Sequence, residues 1–522
     1  MTKASEIPVW RAMGPTPAPT TSREMLPVLI VGAGPVGLTV ALDLAQRGHA
    51  VTIVTRLDFI SGGSKAICFA KRTLDIWDRL GVGAPILAKG VVWETGKVFW
   101  DNRAEPIYQF DLLPLKNQKM PAFVNIQQYH VESMLIDALA DYANVEIRWG
   151  HSVLGVDAKA SGAAVRIKTM DGEYTIEADW LVACDGARST VRSAMGLDFE
   201  GRIFEDNFLI ADIKMKDDRP SERWFWFDPP FNPGQSALLH KQPDDVWRLD
   251  FQLGWGIDRE AAVRPENVEP YVRAMLGDDV VFEREWYSIY TFQCRRMSRF
   301  VHGRVIFAGD AAHLVSPFGA RGCNGGIADA DNLCWKLDLV LADKAPSALL
   351  ESYNIEAIVT ADENIRHSSR STDFMSPKTP AATALRDAVL QLASRYPFAR
   401  PMVNSGRLST AVSYTASPLS TLDDDDDWLG VPPGAPALDG PHAEGWLLDQ
   451  LGAEFVLLTN GLGFSGLRNL DLSASPLLCE RFDLSPGAAY LVRPDQVIAA
   501  RWRRPEQFKI EAAHRRACGI AL

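Results

Sequence analysis

The sequence predicts an α/β fold, with a Rossmann-type domain interleaved with an antiparallel-sheet domain and followed by a small C-terminal α/β domain. Three observations predict it. Residues Leu26 to Arg56 have the pattern of a strand, a glycine-rich turn, a helix and a second strand, which is a β-α-β unit of the usual length. Two later apolar strands, ending near residues 183 and 308, are each followed by adjacent Asp and Gly. Between them, from about 207 to 290, short strands rich in Trp and Phe alternate with Pro, Gly and Asp turns.

Composition excludes several classes of protein. The 522 residues are 47% hydrophobic and 23% charged, which is enough apolar sequence for several packed cores. The net charge of −12 argues against nucleic acid as the main partner, because phosphate contacts need a basic surface. Seven scattered cysteines, without C-x-x-C or metal-ligand spacing, predict a reducing, cytoplasmic location and no metal site. The most apolar stretch, residues 28–45, includes three Gly, a Pro and an Asp, so we expect no membrane span.

Changes in composition predict the domain boundaries. Pro, Thr and Ala at the start of the sequence indicate a flexible arm, and a polar stretch with the run Asp423 to Asp427 indicates a linker. The predicted order is an arm (1–24), the Rossmann-type domain within 25–405 (main segments 25–100, 125–205 and 295–375), its interleaved substrate domain (100–125 and 206–294), a linker (406–429) and a last domain (430–522).

The most informative short motif is Gly32-Ala33-Gly34-Pro35-Val36-Gly37, which follows the first strand and begins the helix. Gly32 permits the tight turn, Gly34 lets the backbone approach a pyrophosphate, and Gly37 allows close packing of helix on strand. The helix N-terminus at Pro35 adds free N–H groups and a positive dipole end. In this context the motif predicts a dinucleotide site, against the alternative of a glycine-rich structural turn.

The second strand of this unit departs from the usual pattern. An Asp or Glu is expected at its end to bind the ribose hydroxyls, but Thr55 and Arg56 stand there. We expect a weaker hydrogen bond from Thr55 than from a carboxylate. Arg56 is expected to contact adenine or a phosphate.

Two further motifs place a carboxylate directly after a strand, namely Asp185-Gly186 and Gly309-Asp310. Open α/β sheets bind ligands at the carboxyl ends of their strands. Alone, each motif is as well explained by a turn or a helix N-cap. In this order, together with the glycine loop, they predict one ligand site closed by three segments that are far apart in the chain.

These motifs resemble those of the single-component FAD-dependent aromatic hydroxylases with the para-hydroxybenzoate hydroxylase fold. The most similar subgroup includes the phenol and 3-(3-hydroxyphenyl)propionate hydroxylases, and the resemblance covers about residues 28–370. It implies bound FAD, NADPH or NADH as co-substrate, and hydroxylation of a small phenolic or aromatic substrate by O₂ through a flavin C4a-hydroperoxide. The pattern Leu491-Val492-Arg493-Pro494-Asp495 resembles the thioredoxin-like domain of the same subgroup, which implies a role in packing or homodimer contact.

The resemblance also implies roles for individual residues. Asp310, after Gly309, is implied to bind the ribityl chain, and Asp185 and Gly186 to contact FAD and the passing nicotinamide. The backbone N–H groups of Gly322 and Cys323, beside Asn324, are implied to face the flavin pyrimidine, and the Pro317 carbonyl to lie near the oxygen-reacting carbon. Gln128 is implied to contact the flavin, and Val153 the adenine side. Lys65 stands where the family has an arginine and loses its bidentate geometry, for which Arg72 is expected to compensate.

The implied chemistry needs a dry pocket and a route for a proton. Candidate walls between the antiparallel sheet and the flavin are the aromatic residues Trp224, Trp226, Trp247 and Phe251. A phenolate reacts faster than a phenol, so a base or relay is expected among His240, Tyr290 and Arg248. For each of these residues, a purely structural place in the sheet is the alternative.

Two other functions remain open from the sequence. One is an FAD-dependent reductase or halogenase on the same fold, although the lysine and tryptophan-rich signature of a halogenase is not found. The other is a non-catalytic flavin redox sensor whose last domain binds a partner.

Overall fold

The computed structural model describes residues 8–112, 115–403, 408–423 and 427–520, apart from the side chain of Glu205. The α-helices of this part of the chain are Pro35–Gln46, Lys71–Arg79, Gly83–Lys89, Gln128–Leu139, Thr190–Ala194, Arg259–Ala262, Pro265–Leu276, Gly322–Leu341, Leu349–Met375, Pro380–Arg395, Pro476–Phe482 and Gln507–Ala517. Short 3₁₀ helices are formed by Gly309–Ala311, Pro397–Met402 and Leu448–Gln450. None of the described helices is long and apolar enough to cross a bilayer.

A largely parallel sheet forms the centre of the first domain. Its spatial order is Val145–Trp149, Val51–Thr55, Arg23–Val31, Glu173–Ala183, Gly162–Lys168 and Ser152–Lys159, with Val305–Phe307 and then Val301–His302 beside Glu173–Ala183. The central residues of these strands are almost fully buried, as Val28, Leu181 and Ile306 show. Parallel strands with both faces covered have this unbroken apolar character, which is why the sequence reveals them.

A second sheet of eight described strands contains the antiparallel pattern predicted for residues 206–294. Its order is His313–Leu314, Glu283–Arg296, Glu200–Lys214, Val246–Gly254, Ser236–Lys241, Arg223–Phe227, Thr95–Trp100 and Tyr108–Asp111. Only the pairing of Arg223–Phe227 with Thr95–Trp100 is parallel within this described sheet. The sheet therefore takes in strand residues that precede the predicted boundary at residue 100.

Side chains alternate between the two faces of this sheet. On the strand Val246–Gly254, Trp247 and Phe251 pack with helix Pro265–Leu276. Arg248 points the other way, because its guanidinium donates to the Ser64 carbonyl of the first domain. One face is thus a closed aromatic core, and the other faces the Rossmann-type domain.

Smaller sheets complete the architecture of the described residues. A three-stranded sheet is formed by Cys68–Ala70, Phe123–Asn125 and Val91–Trp93. Pro441–His442 pairs with Gly445–Trp446. The last domain has a mixed sheet of Arg468–Asp471, Val456–Thr459, Ala489–Val492 and Ile498–Trp502. Its thioredoxin-like character stays a prediction, as do the linker and the other boundaries.

The structure differs from the flexible arm that the sequence predicts for residues 1–24. Val9–Ala12 forms a strand that pairs with Phe59–Ser61. Farther along, the Thr16 amide donates to the Trp149 carbonyl at 2.9 Å. These backbone hydrogen bonds hold the segment across two strand ends of the first domain, and its polar composition gives no sign of them. Residues 1–7 lie outside the described residues.

Buried ion pairs join the last domain to the first. Arg493 donates to both carboxylate oxygens of Glu356 at 2.6 and 2.9 Å, and Lys336 donates to one of them at 2.7 Å. All three side chains are 0% exposed. Burial alone would raise the pKa of Glu356, but the two cations outweigh it and lower the pKa below its usual value. Removing one member of such a cluster leaves an uncompensated buried charge.

We therefore expect Glu356→Gln to lower the free energy of unfolding by about 3–5 kcal/mol in urea denaturation near neutral pH. Because the pKa of Glu356 is lowered, its contribution is present above the ordinary value of 4.5 and is lost as the pH falls below it. The control is Glu351→Gln on the same helix, whose pair with Arg299 is about half exposed and should contribute about 0–1 kcal/mol. Equal losses in the two variants would contradict the assignment.

Candidate active site

The three predicted loops lie against one another at one edge of the parallel sheet. The Cys184 amide donates to the Val31 carbonyl at 2.8 Å. A Cβ added to Gly32 would come within 2.4 Å of the Cys184 carbonyl oxygen, and one added to Gly309 within 2.9 Å of the Val36 side chain. The segments are therefore in direct contact, as the order of the motifs predicts.

Each glycine of the first loop has a distinct environment. Gly32 has a φ of +110°, which favours glycine. A Cβ on Gly37 would lie 2.0 Å from the Gly32 carbonyl oxygen, so close packing excludes any side chain there. Gly34, by contrast, has no atom within 4 Å of an added Cβ. The helix that begins at Pro35 has no side-chain cap and no acidic residue in its first turn, which leaves its N–H groups for a ligand.

Asp185 combines a structural and a ligand-binding capacity. Its Oδ2 accepts hydrogen bonds from the amides of Thr190 and Val191, at 2.7 and 3.2 Å, and so fixes the start of helix Thr190–Ala194. Its Oδ1 is buried and has no hydrogen-bond partner among the described residues. Burial is the main reason that the pKa of this carboxyl is raised. Gly186 follows with a φ of +81° and no atom near its Cβ position.

Arg192 holds this loop against the turn that carries Asp310. Its guanidinium donates to the carbonyls of Ala311 at 2.9 Å and Ala187 at 2.8 Å, and lies 3.8 Å over the ring of Phe199. Sequence reasoning assigned Arg192 no role, although it stands in the same motif, because the loop it would reach is distant in sequence.

The turn around Asp310 is fixed from the neighbouring helix. Asp329 accepts a hydrogen bond from the Gly309 amide at 2.9 Å and lies 2.6 Å from Nε2 of His313. His313 therefore has a structural role. The Asp310 carboxylate is half-buried, and no hydrogen bond or ion pair to it occurs within the described ranges. Burial raises its pKa, while His313 and then Lys65 act in the opposite direction.

The loop between the Asp310 turn and the next helix carries the backbone groups that are predicted to contact the flavin. The Pro317 carbonyl accepts a hydrogen bond from the Ala320 amide at 2.9 Å. The next helix begins at Gly322 without a side-chain cap, so the amides of Gly322 and Cys323 have no partner within the helix. The ring of Phe318 packs edge-on against Phe292 of the antiparallel sheet at 4.9 Å. This loop therefore connects the two large sheets.

The side-chain amide of Asn324 forms hydrogen bonds within the protein. Its Oδ1 accepts from the Ala70 amide at 2.9 Å, and its Nδ2 donates to the Cys68 carbonyl at 3.0 Å. The side chain thus ties strand Cys68–Ala70 to the start of helix Gly322–Leu341. The predicted contribution of Asn324 to cofactor binding stays a prediction.

Gln128 shapes the segment that contains Lys65. Its Oε1 accepts a hydrogen bond from the Ala66 amide at 3.1 Å, and its backbone N–H donates to the Ser64 hydroxyl at 2.8 Å. Lys65 is exposed, and no ion pair of its ammonium group is found in the described part of the chain. The lysine is available for an anionic ligand.

Arg72 does not take the place expected of it. Its guanidinium donates to Gln496, Asp331 and the Asp495 carbonyl, each at 2.6 Å. The expectation that Arg72 compensates for Lys65 is therefore corrected, because these contacts place it at the interface with the last domain.

The predicted adenine-side residues lie near the end of strand Val51–Thr55. The Thr55 carbonyl accepts from the His151 amide at 2.8 Å, while Val153 pairs with Ile167 in the next sheet strands. Arg56 is exposed and has no ion pair to a described residue. Their contacts with a nucleotide stay predictions.

The face of the antiparallel sheet that meets the first domain carries a carboxylate–imidazole pair. Nε2 of His240 lies 3.4 Å from Oδ2 of Asp250, and its Nδ1 lies 3.9 Å from the Cys68 sulfur. Burial and then the Arg223 cation lower the pKa of His240 to about 4, so the ring is neutral at pH 7. Asp250 stays partly exposed between buried neighbours on its strand. Sequence reasoning missed Asp250, although it shares a face with Arg248 by simple alternation.

Arg248 differs from its expected role, whereas the role of Tyr290 stays a prediction. Arg248 forms a buried ion pair with Asp212 at 2.7 Å and donates to the Ser64 carbonyl at 2.5 Å. Because a guanidinium does not release its proton, Arg248 positions this segment rather than relaying a proton. Tyr290 is half-buried, and burial, with a second effect from Asp310, raises the pKa of its phenol. Tyr290 therefore lies close to the ligand edge.

The prediction that four aromatic residues line the pocket beside the flavin is wrong, because their side chains point away from the first domain. Trp224, Trp226, Trp247 and Phe251 all belong to the core on the other face of the sheet. Strand alternation explains this, since residues next to Arg248 must point away from the first domain. The apolar residues that do lie on the near face are Phe208, Phe225, Leu238 and Phe292, which pack with Phe318.

The residues at this edge fit a dinucleotide cofactor. The open space at Gly34 and the uncapped helix N-terminus suit a pyrophosphate. The unpaired oxygen of Asp185 and the carboxylate of Asp310 can accept hydrogen bonds from hydroxyl groups. By contrast, no group of three or more His, Cys, Asp or Glu side chains suited to a metal ion occurs within the ranges described.

Comparison with known proteins agrees with this geometry. Residues 25–368 match the family described as FAD binding domain. The chain therefore belongs to this family of flavoproteins, and the predicted FAD cofactor is confirmed. The crystal structure of the flavin-dependent monooxygenase PieE in complex with FAD and substrate superimposes with a TM-score of 0.81, at 22% identity over 97% of this chain and 100% of that one. The predicted α/β fold is thus confirmed.

Curated relatives are similar over a shorter span. The 3-(3-hydroxy-phenyl)propionate/3-hydroxycinnamic acid hydroxylase of Shigella sonnei (strain Ss046) is 30% identical over 71% of this chain and 66% of its own length. A probable NADH-specific resorcinol 4-hydroxylase of Rhodococcus jostii (strain RHA1) is 31% identical over 65% of this chain and 63% of its own. The chain thus matches less than two thirds of each relative. The structure of p-nitrophenol 4-monooxygenase PnpA from Pseudomonas putida DLL-E4 has a TM-score of 0.66 at 26% identity, over 74% of this chain and 100% of that one.

The glycine loop allows a sharp test of the cofactor site. We expect Gly34→Ala to weaken FAD binding by at least ~10-fold, because a methyl group there blocks the approach of a pyrophosphate, while the melting temperature of the FAD-free protein stays unchanged. Gly256→Ala is the control, since its Cβ position is equally open but outside the site. FAD titration and thermal unfolding of both variants measure this. Undiminished affinity in Gly34→Ala would contradict the proposed pyrophosphate position.

Proposed function

We propose that the protein is an FAD-dependent monooxygenase that consumes NADPH or NADH and hydroxylates a small phenolic substrate with O₂. The observation that carries the proposal is the Asp250–His240 pair, which lies on the sheet face that meets the first domain and reaches Cys68 there. The names of the curated relatives, hydroxylases of phenolic compounds, support the same chemistry. A cytoplasmic location and a homodimer through the last domain belong to this proposal as expectations.

The residues of the ligand edge hold FAD in this proposal. When bound, FAD accepts electrons from a reduced nicotinamide and activates O₂. Gly34 and the N-terminus of helix Pro35–Gln46 bind the pyrophosphate, and Asp310 binds hydroxyl groups of the ribityl chain. Backbone amides of Gly322 and Cys323 serve the ring system, as the helix start leaves them without partners.

Asp250 accepts the proton of the phenol. The ring becomes more nucleophilic as its hydroxyl loses the proton, so a base within hydrogen-bond reach accelerates the reaction. Burial and Arg223 lower the pKa of His240 to about 4, so its ring carries no charge at pH 7. Its neutral ring instead donates Nε2–H to Asp250 and accepts from Cys68 at Nδ1, which orients the carboxylate. His240 is thus a positioning residue.

An aromatic wall keeps water from the reacting atoms. Phe208 and Phe292 stack at 4.5 Å on the near face of the sheet, and Phe318 closes on both from the Pro317 loop. Burying these rings together makes the space beside the Pro317 loop apolar, which suppresses wasteful loss of activated oxygen.

Turnover with a panel of phenols tests the proposal. The FAD-loaded protein should oxidise NADH or NADPH faster when a suitable phenol is present, with a hydroxylated product detected by mass spectrometry. Oxidation without any dependence on an aromatic compound would favour a reductase, and no flavin reduction would favour a sensor. Either result overturns the proposal.

Asp250→Asn isolates the proton step. We expect product formation to fall about 100- to 10,000-fold, because the amide cannot accept the proton, while FAD remains bound and the product formed per NAD(P)H consumed declines. The control is Asp279→Asn, an exposed residue beyond helix Pro265–Leu276. Unchanged product formation in Asp250→Asn, at every pH between about 6 and 9, would refute the role of Asp250.

A further inference from the structure

The strand near the start of the chain supports a segment that lies beside the cofactor edge. Val9–Ala12 pairs with Phe59–Ser61 in a separate two-stranded sheet, and Phe59–Ser61 has no other strand partner among the described residues. The Met13 amide then donates to the Asp58 carbonyl at 2.9 Å. The backbone hydrogen bonds that give this segment a regular structure therefore come from the first residues of the chain.

Side chains fasten the same residues to helix Gln128–Leu139. The ring of Trp10 stacks on that of Tyr129, with the ring centroids 4.1 Å apart. The guanidinium of Arg11 donates to Asp137 at 2.7 Å, one turn or more farther along the helix. The strand is therefore anchored on a rigid element as well as on the segment that it pairs with.

Farther along, the arm crosses the ends of two strands of the parallel sheet. The Thr16 amide donates to the Trp149 carbonyl at 2.9 Å, and the Trp149 amide donates to the Thr16 hydroxyl at 3.0 Å. Nε2 of His151 lies 2.9 Å from the Thr16 carbonyl. Trp149 is paired with Thr55 at the carboxyl ends of their parallel strands, where open α/β sheets bind ligands. The arm thus reaches the predicted adenine side of the cofactor site.

The segment that the arm supports carries two cations. Arg56 and Lys65 are exposed, and neither has an ion pair to a described residue. Such cations suit the phosphates of a dinucleotide. Thr55, just before them, is the residue that stands where a ribose-binding carboxylate is expected. The arm itself precedes residue 25, where the match to the FAD-binding family begins.

We propose that residues 8–16 form a clasp that holds residues 56–65 in the conformation that binds the adenosine and pyrophosphate half of FAD. A flexible segment loses conformational entropy when a ligand orders it, and the clasp removes that loss by ordering the segment in advance. This gain offsets the weaker hydrogen bond expected from Thr55. Trp10 and Arg11 are positioning residues, because they act through the segment. The inference concerns cofactor binding and does not depend on the reaction proposed above.

Deletion of residues 1–16 tests the clasp without turnover. The Kd for FAD, measured by flavin fluorescence, should rise about 10- to 100-fold, and the dissociation rate of FAD should rise by a similar factor. Hydrogen–deuterium exchange at saturating FAD then locates the effect. Residues 309–324 should still be protected by FAD in the truncated protein, whereas residues 56–65 should be protected only in the full chain.

Three results of the deletion would overturn the inference. One is an unchanged Kd for FAD. Another is protection of residues 56–65 that survives the deletion. The third is equal loss of protection in residues 56–65 and 309–324, because this would mean that the deletion removes the whole site rather than one half of it.

Substitution of Trp10 tests the clasp in a chain of full length. Trp10→Ala should weaken FAD binding about 3- to 10-fold, because the stack on Tyr129 is lost. Trp10→Phe, which keeps a ring on Tyr129, should restore most of the affinity. The control is Trp255→Ala, since Trp255 is 53% exposed and Trp10 is 43% exposed. Wild-type affinity in Trp10→Ala, or equal weakening in Trp255→Ala, would overturn the inference.

The clasp and the proposed reaction fail in different ways. If the deletion leaves FAD binding unchanged while phenols are hydroxylated, the clasp is wrong and the monooxygenase activity stands. If FAD binding depends on the clasp but no phenol is hydroxylated by the full chain, the proposed activity is wrong and the clasp stands.

Discussion

The site depends on the close approach of three backbone turns, which glycine alone permits. A side chain on Gly32 would meet the Cys184 carbonyl, and one on Gly326 would come within 2.6 Å of Val36 and 3.0 Å of the Gly309 backbone. Because these turns touch, Asp185 and Asp310 reach the same edge as the helix N-terminus at Pro35. Without this contact the two carboxylates would be ordinary residues that follow a strand.

The buried polar side chains of the described residues differ in whether they have hydrogen-bond partners within the protein. Arg248, Arg493 and Asn324 use their polar groups on partners within the protein and hold segments in place. Asp185 and Arg223 keep buried polar atoms without a hydrogen-bond partner among the described residues. Groups of the second kind retain the capacity to bind a ligand, since burial makes an unmet hydrogen bond costly. The unpaired oxygen of Asp185 is the example at the cofactor edge.

The structural features that the sequence predicts are those with a pattern confined to neighbouring residues. The β-α-β unit, the glycine turn and the Asp-Gly strand ends depend on spacing within a few residues, so they could be predicted. Once the direction of Arg248 is known, strand alternation predicts that Asp250 shares its face and that Trp247 points the other way. The direction of Arg248 itself depends on its hydrogen bond to Ser64, which is distant in sequence. The contacts of Arg72 with the last domain and the pairing of Val9–Ala12 have no local pattern at all. Long-range packing decides these features, and one sequence does not display it.

The most direct test of the central claim is hydrogen–deuterium exchange of the FAD-free protein before and after addition of FAD. If three distant loops enclose one cofactor, amide exchange should slow together in residues 32–37, 185–191 and 309–324, while the sheet of the last domain is unaffected. Slowing confined to the glycine loop, or no change in any of the three segments at saturating FAD, would contradict the account.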